Sequence, residues 1–198
     1  MRNIGSLALL AFLCGQPAQA QSRVFVSGDV FADARRFSGD PASTLNATTV
    51  GSGAGLGMLV NERWDLRAEV GLGATTTLMR PLLPSVAAFQ ARTRSRIAAT
   101  SLLIGYHPVS RARVHVTVLG GISFLHVRTQ FDSLPAGLVV SPHTRVDNVA
   151  GPTIGVEVPI VLFSRFSVVP EIRAHAFTLH EGTGGVAIRP GLGIRWGM

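Results

Sequence analysis

From residue 23 to the end of the chain, apolar and polar residues alternate with a period of two, and this constrains the fold more than any other feature. Trp64, Leu66, Ala68, Val70, Leu72 and Ala74 share one parity, while Asp65, Arg67, Glu69, Gly71 and Gly73 share the other. Successive side chains of a strand point to opposite faces, so the pattern describes a ribbon with one greasy and one polar side. A helix would place Arg67 beside Leu66 and scatter both sets.

The pattern recurs. Val186, Ile188, Pro190, Leu192, Ile194 and Trp196 oppose Ala187, Arg189, Gly191, Gly193 and Arg195. Val168, Pro170, Ile172, Ala174 and Ala176 oppose Glu171, Arg173 and His175. Val114, Val116, Val118, Ile122 and Phe124 oppose Arg113, His115, Thr117 and Ser123; Ile154, Val156, Val158 and Ile160 oppose Thr153 and Glu157. Ala54, Leu56, Met58 and Val60 oppose a run of alternate glycines. Near the start, Val24, Val26 and Val30 fall outside and Asp29 inside, which turns Phe25 and Phe31 inward; Leu102, Ile104 and Tyr106 fall outside. Eight strands are predicted: 23–36, 46–60, 64–77, 92–107, 112–129, 145–161, 167–179 and 184–196. Connections after the second, fourth and sixth are short. Those after the first, third and fifth (37–45, 78–91 and 130–144) are longer and rich in Pro, Gly and Ser.

The N-terminus reads differently. Arg2, an apolar run from Ile4 to Cys14, and Ala18-Gln19-Ala20 form the three parts of a secretory leader, with cleavage expected after Ala20. The run is too short to span a bilayer as a helix, and no later segment is long and apolar enough. Residues 1–20 are therefore assigned to a signal peptide and 21–198 to one domain. Ala11-Phe12-Leu13 before Cys14 does not suit lipidation, so the single Cys leaves with the leader.

An even number of strands, with short turns at one end and longer loops at the other, is the layout of an all-β, eight-stranded antiparallel up-and-down transmembrane β-barrel. In hydrocarbon every backbone N–H and C=O must be paired within the protein, so a spanning sheet has to close. A lipocalin or β-sandwich also has alternating strands, with the apolar face as its core. Such a surface would carry many charges. Here only 15% of residues are charged, and all 18 basic residues are Arg. Pro152, Pro170 and Pro190 fall inside strands, an awkward place in either fold.

In the barrel, the polar parity lines an interior filled by side chains rather than a wide channel. Asp29, Glu69, Glu157 and Glu171 are expected to pair there with Arg67, Arg173, Arg189 and Arg195, because an unpaired buried charge costs several kcal/mol. The lumenal glycines leave room for the long Arg side chains. Trp64, Tyr106 and Trp196 lie near the short-turn end on the outward parity, suiting an aromatic girdle. The opposite rim is rich in arginine: Arg35, Arg36, Arg80, Arg92, Arg94, Arg96, Arg128 and Arg145. Of these, Arg80, Arg92, Arg94, Arg96 and Arg128 are candidates for contact with anionic outer-membrane lipid, including lipopolysaccharide phosphates where that lipid is present.

Gly53-Ala54-Gly55-Leu56-Gly57-Met58-Leu59-Val60 with Leu66-Arg67-Ala68-Glu69-Val70-Gly71, then Leu103-Ile104-Gly105-Tyr106-His107-Pro108, and finally Gly191-Leu192-Gly193-Ile194-Arg195-Trp196 follow one another in order. With them the whole mature chain resembles the small outer-membrane β-barrel family of the OmpA/OmpX type. The resemblance implies an outer-membrane location, periplasmic termini, a monomer, and delivery by the barrel insertion machinery. That machinery reads a terminal aromatic residue, whereas here Trp196 is followed by Gly197 and Met198. No peptidoglycan-binding domain follows, so a tethering role is not implied.

Other chemistry is weaker. Some barrels of this size modify lipid A with a rim His and Ser; His126 stands near the rim, but in a His-x-Ser pattern position 128 would be Ser, and here it is Arg. None of the six His has metal-ligand spacing to another His or Cys, so no metal and no cofactor is expected. Val50-Gly51-Ser52-Gly53-Ala54-Gly55 lacks the Lys and helix of a phosphate loop. The net charge of +7 suggests nucleic acid only in a chain that is not exported. The expected role is non-enzymatic, structural or surface-interacting through loops 37–45, 78–91 and 130–144. A narrow solute pore, a lipid-modifying enzyme and a soluble ligand binder are the alternatives.

Overall fold

The computed structural model describes residues 24–37, 47–83, 86–108, 114–134, 142–163, 165–178 and 184–197; for 37, 80–83, 86–90 and 133–134 it describes the backbone alone. The leader, 38–46 and 135–141 lie outside the described residues.

Ten strand segments build eight barrel staves. They are β1 (Val24–Phe37), β2 (Thr48–Leu59), β3 (Trp64–Gly73), β4 (Thr76–Leu83), β5 (Val86–Tyr106), β6 (Thr117–Leu134), β7 (His143–Glu157), β8 (Ile160–Phe163), β9 (Phe166–Thr178) and β10 (Gly184–Trp196). β3 and β4 continue one stave along β5, and β7 and β8 continue another along β9. Every neighbour is antiparallel, and the sheet closes where Val26↔Trp196 through Phe37↔Gly185 join β1 to β10. Closure pairs the backbone around the full circle, as a spanning sheet requires.

The parity is the one the sequence predicts. Leu56, Val30 and Ile154 are 60%, 61% and 66% exposed, while Phe25 is 1% exposed and Asp65 and Glu157 are fully buried. The greasy face points out and the ionised face points in, which excludes a soluble sandwich with an apolar core. A continuous exposed band of Val, Ile and Leu on every stave is what acyl chains solvate and water does not.

Two features depart from the predicted layout. Of the expected loop 78–91, residues 78–83 and 86–91 are strand, since β4 and β5 run on together to Leu83↔Val86, and 84–85 lie outside the described residues. Pro81 reads as a breaker, but β4 pairs only with β5 among the described residues. An edge strand tolerates proline better than a central one, and this strand continues through a register shift between Pro81 and Leu83. The same extension takes in 130–134 on β6 and 143–144 on β7.

The three strand prolines also find their reason. Pro152 lies just beyond Thr153↔His175, where the β7–β9 ladder stops. Pro170 faces the break between β7 and β8. Pro190 faces the gap in the β1–β10 ladder between Phe31↔Gly191 and Ala34↔Ile188. Pro152 and Pro190 thus sit at interruptions of a neighbouring ladder, and at Pro170 the carbonyl still accepts a backbone bond from Val158 N–H at 2.9 Å.

Candidate functional site

The lumen is organised in layers. At the end that carries Trp64 and Tyr106, Arg67 on β3 donates through Nε to Asp65 Oδ1 at 2.5 Å and through Nη1 to Glu157 Oε2 on β7 at 2.6 Å. Arg195 on β10 donates to both oxygens of Glu157, at 2.7 and 2.9 Å. Phe25 lies under both guanidinium groups, 5.4 and 4.6 Å from their carbons. Gly57, across the ladder from Phe25, leaves the space this ring fills; a Cβ there would overlap it.

His107 joins the same layer, with Nε2 2.6 Å from Asp65 Oδ2 and Nδ1 2.9 Å from Thr117 Oγ1. The Asp-His-Thr chain has the connectivity of a hydrolytic triad. Asp65 and Thr117 are fully buried and His107 is 3% exposed, so no substrate reaches the hydroxyl. Its role is to satisfy buried polar groups.

The next layer joins Arg173 on β9 to Glu69 and, at 2.6 Å, to Glu171. Asp29 and Arg189 do not follow the expected pairing, since among the described residues neither makes a direct ion pair. Arg189 lies with its guanidinium carbon 3.4 Å from the centre of the Phe31 ring and one nitrogen 3.5 Å from His175 Nε2. Phe31 occupies the face a carboxylate would have used. Beyond it, Ser101, Ser123, Thr153 and His175 Nδ1 form a chain of bonds of 2.6–3.1 Å. Ile97, Ala99, Leu125, Val127, Phe177 and Ala187 then form an apolar cluster. A cavity of about 20 Å³ beside it, lined by Asp33, Arg35, His175 and Arg189 among others, has room for one water.

Sequence reasoning missed Asp65, His107, Asp33 and Arg35. The first was legible: Asp65-x-Arg67 puts both on the inward parity. His107 follows from carrying the β5 parity one residue past Tyr106. Arg35, expected at the rim, is instead 1% exposed, turned inward against Asp33 at 3.4 Å and Thr49 at 3.0 Å. It sits one parity from Arg36, whose side chain is exposed.

Outside, Trp64 and Tyr106 are register partners with ring centres 4.7 Å apart, and Trp196 pairs with Val26 and Phe166. Phe163 and Phe166 stack at 5.0 Å at the same end. At the other end Arg92 and Asp132 are register partners and bond through Arg92 Nε at 2.8 Å. Arg94 faces Gln130, and Arg96 faces Arg128. His126 Nδ1 lies 2.7 Å from Asn148 Oδ1, and Arg128 stands where a His-x-Ser pattern would place a hydroxyl. Arg145 bonds Asp147 at 3.1 Å. Arg80 takes a register position opposite Ala91, and its side chain lies outside the described residues.

No protein-family model and no curated protein matches this chain. Solved structures do. The chain is similar to Ail, the attachment invasion locus protein of Yersinia pestis, solved with the heparin analogue sucrose octasulfate. Identity is 12% and the TM-score 0.56, over 88% of this chain and 99% of Ail. It is similar to a major outer membrane protein from Thermus thermophilus, at 15% identity and a TM-score of 0.55, over 87% and 99% of the two chains. It is also similar to Neisserial surface protein A, at 13% identity and a TM-score of 0.52, over 89% and 98%. At such identities the likeness shows the fold, that of the small eight-stranded outer-membrane β-barrels.

Proposed function

We propose that this chain is a non-enzymatic outer-membrane barrel that works as a surface-interaction platform, with its termini and short turns in the periplasm. The observation that carries the reading is a sheet projecting past the end of the closed barrel. β5 runs ten residues beyond Arg96 to Val86, flanked by β4, β6 and β7. Among the described residues Val146–Ala150 of β7 pair only with β6, and residues 77–83 only with β5. Such edges present unpaired backbone donors and acceptors, which an extended segment of a partner recognises by adding a strand. The packed, ion-paired lumen supports a sealed body beneath the platform rather than a solute path.

Two measurements test this. An impermeant maleimide added to intact cells should label the variant Thr77→Cys and leave Glu62→Cys, in a short turn, unlabelled; the reverse labelling sinks the orientation. Cells expressing the chain should adhere to a panel of immobilised proteins and glycans, heparin included because Ail was solved with a heparin analogue. Replacing 78–91 by a two-residue turn should abolish that adhesion with the heat-modifiable gel mobility of a folded barrel retained. Adhesion unchanged by the shortening, or a steady conductance in planar bilayers altered by Glu171→Gln or Arg173→Gln, would favour the pore reading instead.

A further inference from the structure

The outward faces of β5, β6 and β7 change character at one level. On β5 the order is Tyr106, Ile104, Leu102, Thr100, Ala98, then Arg96, Arg94 and Arg92. On β6 it is Val118, Gly120, Ile122, Phe124, then His126, Arg128 and Gln130. On β7 it is Val156, Ile154, Pro152, Ala150, then Asn148. The ladders set Ala98, His126 and Asn148 in one row, and Arg96, Arg128 and Val146 in the next.

Arg96 stands ten residues along β5 from Tyr106 of the aromatic girdle. At about 3.3 Å per residue and a tilt near 40°, this is about 25 Å of height, the thickness of the apolar band of an outer-membrane barrel. The arginine row thus falls at the second hydrocarbon boundary. There Arg96 and Arg128 are direct cross-strand partners on the same face. Like charges so placed repel unless an anion lies between them. Asp132, the nearest carboxylate along β6, is committed to Arg92. None of Arg94, Arg96 and Arg128 makes an ion pair among the described residues. The lumen does not use up the positive charge either, since its five arginines (35, 67, 173, 189 and 195) face six carboxylates (Asp29, Asp33, Asp65, Glu69, Glu157 and Glu171).

We propose that Arg94, Arg96 and Arg128, with His126 held by Asn148 below them, form a binding site for the phosphate of a lipid headgroup in the membrane leaflet at the long-connection end. The guanidinium forks take phosphate oxygens by paired charge-assisted bonds. The acyl chains of that lipid run down the exposed Phe124, Leu102 and Ile122 face. The anion supplies what the strands lack, a negative charge between two opposed arginines. The site is independent of the adhesive reading, because Arg96 and Arg128 lie on the barrel wall at the foot of the sheet and a lipid needs no partner protein.

The test uses the full chain in detergent micelles doped with lipid A, phosphatidylglycerol or phosphatidylcholine, with bound lipid counted by native mass spectrometry. The wild type should retain phosphate-bearing anionic lipid over phosphatidylcholine. The variant R96Q/R128Q should lose at least about tenfold in retention at equal lipid, as removal of two charge-assisted contacts implies, and Arg63→Gln in a short turn should lose none. Heat-modifiable mobility checks that each variant is folded. Preference for lipid A, lost in R96Q/R128Q, assigns the phosphate to that lipid; equal retention of lipid A and phosphatidylglycerol, lost in the same variant, assigns the site to any anionic phosphate headgroup. Displacement by inorganic phosphate alone at low concentration would make the site one for a free anion and overturn the lipid assignment. Undiminished lipid retention in R96Q/R128Q overturns the proposal. So does loss of heparin binding in that variant with the lipid count unchanged, which would give the arginines to a soluble polyanion.

Discussion

Glu157 is the residue on which the lumen turns. Fully buried, it receives bonds from Arg67 and Arg195, so Glu157→Gln removes the carboxylate charge that two guanidinium groups share in a space closed to water, and leaves Arg67 only its pairing with Asp65. Breaking a buried ion pair by removing one partner costs about 3–5 kcal/mol, and urea unfolding of the barrel in lipid vesicles should fall by that amount. Arg189 behaves otherwise. Its main neighbour is the Phe31 ring, a contact worth about 2 kcal/mol when desolvated. Arg189→Met keeps the stem and removes the charge, so its cost should stay below about 2 kcal/mol in the same assay. If Arg189→Met proves as damaging as Glu157→Gln, the layer is held by an ion pair that the geometry lacks. The lumenal parity of all these residues was legible in the alternation, but not their partners. Which Arg meets which Glu depends on the distance across the barrel, and Arg67 and Glu157 are 90 residues apart in sequence.

At the scale of elements, strand identity followed from period two and strand ends did not. Period two reports two different environments, and above the membrane both faces of a sheet meet water. There the alternation weakens, in the 78–91 segment, although the ladder continues. Backbone pairing rather than side-chain burial carries these residues. The projecting part should therefore be the less stable part of the sheet. Among the described residues, the Arg92–Asp132 pair is a side-chain tie of this part. The bond from Arg92 holds the Asp132 carboxyl below its ordinary value. A depressed carboxylate stabilises above its unfolded pKa and stops doing so as pH falls through the folded one. Hydrogen-exchange protection at the β5–β6 tip should thus exceed that of Asp132→Asn at neutral pH, and the two should converge in acid. A difference that persists in acid would assign the effect to packing. Gly151 offers a second test, because a Cβ there would run into the backbone carbonyl of Ala176 at the end of the β7–β9 ladder. Overpacking of this kind costs about 1–3 kcal/mol, so Gly151→Ala should lower stability by that amount in urea titrations and extend the open part of β7.

For the whole molecule, closure is the decisive event. β1 and β10 lie at opposite ends of the chain and pair over ten register positions. A chain lacking 184–198 leaves β1 and β9 with bare edges, which hydrocarbon does not tolerate. It should lose heat-modifiable mobility entirely rather than fold to a smaller barrel. A folded seven-stave product would show that closure can be achieved without β10.

The sequence by itself determined the strands, the number of staves and which side of each faces lipid, because those are local properties written in a two-residue repeat and read against a uniform solvent. Tertiary structure decided the rest. It turned Arg35 into the lumen and left Arg36 outside, gave Arg189 a phenyl ring in place of a carboxylate, set Arg96 across from Arg128, and let four strands climb past the barrel. These are matters of register between segments far apart in the chain, and register is fixed only when the whole circle closes and each side chain meets whatever the opposite wall provides.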